Sequence, residues 1–144
     1  MIMAISAFSV GRDTQLVVIG PSGRIDLAHV IAFDSHQITQ SVRVNRLDGN
    51  QMGVELPKGW AGSFELERGD SVVDDFIANA EQGYYNGAIN QTSSMYQYIS
   101  ETDGSMSTYQ YDSVVFHLSN AGLWRGDLSV KQKLEFFASR RRRI

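Results

Sequence analysis

The stretch from Trp60 to Gly87, W-A-G-S-F-E-L-E-R-G-D-S-V-V-D-D-F-I-A-N-A-E-Q-G-Y-Y-N-G, constrains the fold most. It begins by alternating. Trp60, Gly62, Phe64 and Leu66 fall on one side of an extended chain, and Ala61, Ser63, Glu65 and Glu67 on the other, which marks a half-buried strand. Arg68-Gly69-Asp70 is a tight turn. Asp70 or Ser71 offers a short side-chain oxygen to cap a helix, and Asp74 and Asp75 put negative charge where the helix dipole favours it. Val72, Val73, Phe76, Ile77 and Ala80 form one apolar stripe at helical spacing. Gly83 is placed to end the helix. The pattern predicts a strand over 60–67 and a helix over 71–82.

The rest of the chain reads as strands in hairpin order. Met3 to Val10 alternates weakly, Gly11-Arg12-Asp13 is a turn, and Thr14 to Ile19 is a β-branched run suited to a buried strand. Gly20-Pro21-Ser22-Gly23 is turn chemistry, with Arg24 to Leu27 as its return arm. Val30 to Leu47 is extended and alternates from Ile38 on. Asp48-Gly49-Asn50 reads as a hairpin turn, and the arm Gln51 to Leu56 stops at Pro57-Lys58-Gly59. This hairpin, near 43–58, has little apolar surface to bury on its own domain and is expected to project. After a loop from Tyr84 to Gln91, Ser94 to Ser100 and Thr108 to Leu118 flank the turn Thr102-Asp103-Gly104-Ser105. Leu128 to Ala138 is the last strand, and Trp124 is a candidate anchor for the turn before it. The expectation is a single mainly β domain over 1–144, an antiparallel β-sandwich or barrel with one flanking α-helix.

Composition narrows the function. At 144 residues the chain suits one core. It has no cysteine, so disulfides, thiolate metal sites and cysteine nucleophiles are excluded. No apolar run approaches a bilayer span, and the first residues lack a signal-peptide pattern, so no membrane association is expected. The net charge is −3, and removing the four positive charges of Arg140, Arg141, Arg142 and Arg143 takes it to −7. An acidic body with a short basic tail over 140–144 argues against a general nucleic-acid surface, which needs clustered Lys and Arg.

No chemical constellation emerges. None of the three histidines, His29, His36 and His117, has a second ligand at zinc-motif spacing. Adjacent Asp74 and Asp75 do not converge on one helix face as an acid–base pair would. No phosphate-cradling glycine motif occurs, so neither a cofactor nor an enzymatic activity is expected. Arg-Gly-Asp occurs twice, at 68–70 and 125–127, and at both places reads as turn chemistry.

Two segments, W-A-G-S-F-E-L-E-R-G-D-S-V-V-D-D-F and G-L-W-R-G-D-L-S-V-K-Q-K-L-E-F-F-A-S, resemble the tail tube proteins of contractile-tailed bacteriophages. The resemblance covers most of Ile38 to Ser139. It implies a flattened β-barrel or sandwich beside one helix, in a structural virion protein made in the host bacterial cytoplasm. It further implies copies joined into hexameric rings, and rings stacked into a tail tube. The tube's partners would be the sheath, the baseplate and the tape-measure protein, and DNA would pass through it transiently. The type VI secretion tube protein shares this fold and is an alternative. A monomeric β-sandwich binding a ligand through Trp60, Tyr84 and Tyr85 is an alternative of another class.

Alternation and the tube resemblance together nominate surfaces. Ser63, Glu65, Glu67, Lys131, Lys133 and Glu135 point away from the core and are candidates to line the lumen, with Thr39, Ser41 and Arg43 completing the polar wall. Acidic groups there would keep DNA from adhering. Arg46, Asp48, Asn50, Gln51 and Lys58 are candidates for ring-to-ring contact. Arg140 to Arg143 are candidates for contact with a neighbouring subunit.

Overall fold

The structure, a computed structural model, describes residues 9–21, 23–27, 30–87 and 92–144. Its elements are β1 (Thr14–Gly20), β2 (Gly23–Asp26), β3 (Val30–Asn45), β4 (Gln51–Glu67), α1 (Val72–Tyr85), β5 (Ser93–Ser100), β6 (Met106–Asn120), β7 (Lys131–Ala138) and β8 (Arg140–Arg143). All pairings are antiparallel, in the order β2-β1-β5-β6-β7-β4-β3, with β8 also on β6. The mainly β architecture with one helix matches the sequence-based expectation. The strand expected over 3–10 falls mostly on residues outside those described; Ser9 and Val10 are not in a strand.

One bend makes the sheet fold over itself. The first half of β6 pairs with β5 and β8, and the second half with β7. The switch falls at Ser113, which takes φ 52° beside a register shift between Ser93 and Met95 on β5. A bulge of this kind turns a strand from one sheet into another. The two halves then share one core. Leu16, Val18, Met95 and Tyr111 come from the first half; Phe64, Leu66, Leu134 and Phe136 come from the second. Phe33 stacks on Phe136 at 5.9 Å, and Tyr111 meets Phe136 edge-on at 5.7 Å. The Tyr111 hydroxyl donates to Gln97 Oε1 (3.3 Å) and shares a hydrogen bond with the Ser35 hydroxyl (3.1 Å), so the buried ring carries no orphaned polar atom.

Helix α1 packs against the core through Val73 and Ile77, and Phe76 meets Phe116 edge-on at 5.7 Å. It begins near the expected point: Asp70 Oδ1 accepts the Val72 N–H (3.1 Å). It ends later than expected. Gly83 stays in the helix and the chain leaves only after Tyr85, with Gly87 at φ 95°. Tyr84 and Tyr85 therefore belong to the last helical turn and not to a loop.

The hairpin of β3 and β4 is the largest departure from the sequence reading. Pro57-Lys58-Gly59 does not end a strand, because β4 runs unbroken from Gln51 to Glu67. Between the pairs Ile38–Gly59 and Thr39–Pro57, Lys58 is the extra residue of a bulge. Only Trp60 to Glu67 pairs with β7 on the other side. Pro57 therefore lies where β4 is an edge strand and a missing N–H costs no ladder bond. Gly59 is required at the split: it takes φ 118°, and a Cβ there would meet Ala138 O and the Phe137 ring, both at 2.8 Å. Beyond it, β3 and β4 leave the body as a two-stranded ribbon, exposed at every residue from Thr39 to Lys58. Thr39 to Asn45, at about 3.4 Å per residue, reaches about 24 Å.

Candidate assembly surfaces

The outward face of β3, β4, β7 and the second half of β6 collects most of the residues nominated for the lumen. Ser63 lies opposite Asp34 and Glu135, and Glu135 lies opposite His117. Glu65 faces Lys133 and Glu67 faces Lys131. The row is hydrogen-bonded: His117 Nε2 and Glu135 Oε2 are 2.7 Å apart, and the Ser63 hydroxyl donates to Asp34 Oδ1 (2.7 Å). Sequence reasoning missed Asp34 and His117, because only the pairing register puts them in this row.

Thr39, Ser41 and Arg43 do not join that face. On β3, Asp34 and His36 share a side with Ile38, Gln40, Val42 and Val44; Thr39, Ser41 and Arg43 continue the opposite side, from Phe33 and Ser35. They form the polar face of the ribbon instead. There the Ser41 hydroxyl donates to Glu55 Oε1 (2.6 Å), and the Ser41 and Thr39 hydroxyls hold the Glu55 carboxyl below its usual range.

The other ribbon face is apolar, contrary to the expectation of a hairpin with little apolar surface. Val42 pairs with Val54, Val44 with Met52, and Gln40 with Leu56. The five apolar side chains among these are 39–54 % exposed. The strip continues onto the body through Ala61, Phe137 and Val115, which are cross-strand neighbours. Both Phe137 and Val115 are exposed. A two-stranded ribbon is marginal alone in water, and a continuous exposed apolar strip marks an interaction surface. The nominated contact residues sit at its polar tip and base. Asp48 caps the turn, accepting from the Asn50 N–H (3.0 Å) and from Asn50 Nδ2 (3.2 Å). Arg46 N–H donates to Asn50 O (2.9 Å), and Gln51 starts β4 opposite Asn45.

The terminal arginines are not a loose tail. Arg140–Arg143 form β8 along Asp112 to Tyr109 of β6. Alternation divides them. Arg142 makes a two-point contact with Asp112 (2.7 and 3.2 Å), and that carboxylate raises the guanidinium pKa further. Arg141 turns the other way and lies 3.6 Å from the Tyr109 ring centroid, 5.0 Å from Trp60 and 5.7 Å from Tyr111. Trp60 is thereby committed to the core and to Arg141, which removes it from an exposed ligand platform.

At the far end of β4 and β7, opposite the ribbon, a second surface forms. Asp74 accepts from Arg68 Nε (2.9 Å) and from Gln132 Nε2 (2.7 Å). Gln132 also donates to Ala121 O (3.1 Å) and is only 1 % exposed. Arg68 lies 5.3 Å from the ring centroid of Trp124. This network ties the 121–130 loop to the start of α1 and leaves Leu123, Trp124 and Leu128 outside. Trp124 thus holds Arg68 at the surface and is not buried as an anchor. Among the described residues no group of three or more His, Asp or Glu side chains could hold a metal ion, and no helix is long and apolar enough to cross a membrane.

No protein-family model matches the chain, and comparison with curated proteins finds no match. Solved structures do match in fold. A chain from the sheath–tube complex of an extracellular contractile injection system, PVC, in its extended state aligns with TM-score 0.60 at 10 % identity, over 90 % of this chain and 88 % of that one. A chain from the sheath/tube terminator of the same system gives 0.61 at 12 %, over 98 % and 99 %. A chain from the anti-feeding prophage baseplate gives 0.57 at 11 %, over 96 % and 97 %. The fold is tail-tube-like: nearly the whole chain superposes on proteins from contractile injection assemblies.

Proposed function

We propose that this chain is the structural subunit of a contractile-tail tube, forming hexameric rings that stack into a hollow shaft. The observation that carries the reading is the apolar-faced ribbon, left uncovered by its own domain on a tail-tube-like fold. A second copy is the natural cover, since a head-to-tail contact repeats without limit along a filament. Among the described residues no strand pairs with the outer edge of β3, a further hazard that pairing within a ring would remove.

In this reading the Ser63–Glu65–Glu135 face lines the channel. It carries Asp34, Glu65, Glu67 and Glu135 against Lys131 and Lys133, a net −2 per copy with neutral histidines. Such a wall repels phosphate, so DNA would slide and not adhere. Sheath, baseplate and tape-measure proteins are the expected partners, and the virion tail the expected location. The role requires no catalytic chemistry. Negative-stain electron microscopy at high protein concentration and low salt tests the reading. Hollow tubes or six-fold rings support it; particles that stay monomeric when seeded with preformed tube ends refute it.

A further inference from the structure

We infer that the surface which receives the ribbon is the 121–130 loop of a second copy. The inference rests on the tube reading and adds the identity of the acceptor. Three features of the loop single it out. The first is position. The ribbon extends β3 and β4 beyond Gly59, whereas the loop joins Asn120 to Lys131 at the other end of the same half-sheet, beside Glu67. Copies stacked along the strand direction bring a ribbon from one to the loop of the next. The contact is heterologous and repeats without closing.

The second is chemistry. Leu123, Trp124 and Leu128 are each about 60 % exposed or more, three large apolar side chains within six residues of one loop. The charges also complement. The ribbon holds Arg43, Arg46 and Lys58 against Asp48 and Glu55, a net +1. The loop end holds Glu67, Asp70, Asp74, Asp75 and Asp127, against Arg68, Arg125 and Lys131, a net −2. Opposite charge steers and registers an apolar contact.

The third is order. The Leu128 N–H donates to Arg125 O (3.1 Å), Asn120 Oδ1 accepts the Gly122 N–H (2.9 Å), and Arg68 stacks on Trp124. A surface held in shape before contact loses less freedom on binding. The second Arg-Gly-Asp, at 125–127, thereby acquires a role. It forms the closed turn that presents Trp124 and Leu128 on either side.

The chain has no cysteine, so paired cysteines report the contact without background. The double variant Val54→Cys with Leu123→Cys is treated with a short bismaleimide at polymerising concentration. A ladder of covalent dimers, trimers and longer chains is expected, with neither single variant giving one. Met52→Cys with Leu128→Cys serves as a second pair. Arg46→Glu should lower the ladder yield about tenfold at low salt, through like-charge contact with the acidic loop end. Dimers from Val54→Cys alone would mean that ribbons pair with each other, and would overturn the inference. Tubes by microscopy with no ladder from either pair would overturn the acceptor while sparing the tube reading. Absence of tubes and ladder together would overturn both.

Discussion

The apolar face of the ribbon should govern assembly without contributing to the stability of the subunit. Val42 and Val54 form a cross-strand pair on that face, 39 % and 52 % exposed. Full burial of a valine side chain stabilises by about 1.5–3 kcal/mol, so covering the exposed half contributes about 1 kcal/mol at each position. Val42→Thr with Val54→Thr keeps β-branching and strand preference. It keeps one methyl and exchanges the other for a hydroxyl, so about half of that contribution is lost, and burying the hydroxyl without a partner costs about another 1 kcal/mol. The pair together should weaken each ribbon contact by about 3 kcal/mol, roughly a hundredfold in its association constant. The critical concentration for polymerisation, read by sedimenting polymer across a dilution series, should rise by that factor. The dispersed subunit should melt within about 2 °C of the parent, because exposed substitutions of this kind stay near 0.5 kcal/mol. An unchanged critical concentration at an unchanged melting temperature would refute the claim that this face is covered in the assembly.

Other outcomes follow from single contacts. Gly62→Ala should destabilise the subunit by about 3 kcal/mol or more, since its Cβ would overlap the β3 backbone at Asp34 and Ser35; thermal melting reads this. Arg141→Ala should cost about 1–2 kcal/mol through loss of its contacts with Tyr109, Trp60 and Tyr111. Its melting temperature should fall even in monomers, which a role confined to subunit contact would not produce. Asp74→Ala leaves Arg68 without its ion-pair partner and Gln132 with one fewer acceptor. A loss of about 2 kcal/mol is expected, with faster amide exchange in the 121–130 loop. Glu55 has its pKa lowered in the fold, so its contribution is complete above the usual 4.5 and is lost as pH falls through the lowered value. In an NMR titration Ser41→Ala should move the Glu55 midpoint upward, toward 4.5.

What the sequence made legible were features set by neighbours along the chain. The 60–67 alternation, the start of α1, and the turns at 48–50 and 102–105 depend on local periodicity, short capping side chains and glycine. Most of the misreadings share one cause, partners distant in sequence. Pro57-Lys58-Gly59 looks like a stop by local rules, yet it is a bulge because β7 leaves β4 at that point and frees its edge. Gly83 looks like a helix end, yet the helix continues through it to Tyr85. The arginine run reads as a short basic tail, yet Asp112, Tyr109, Trp60 and Tyr111 recruit it as a strand from as far as eighty residues away. That the nominated β4 and β7 residues share one outward face was legible from alternation alone. Thr39, Ser41 and Arg43 fall on the opposite face from them, because the parity of β3 relative to β4 is set by the register, which the sequence does not display.

The most direct test of the account is a cryo-EM reconstruction of the polymer this chain forms. A six-fold tube is predicted, with Ser63, Glu65 and Glu135 facing the channel and each ribbon reaching the neighbouring ring. A filament with that face on its outer wall, or with ribbons free in solvent, would contradict it.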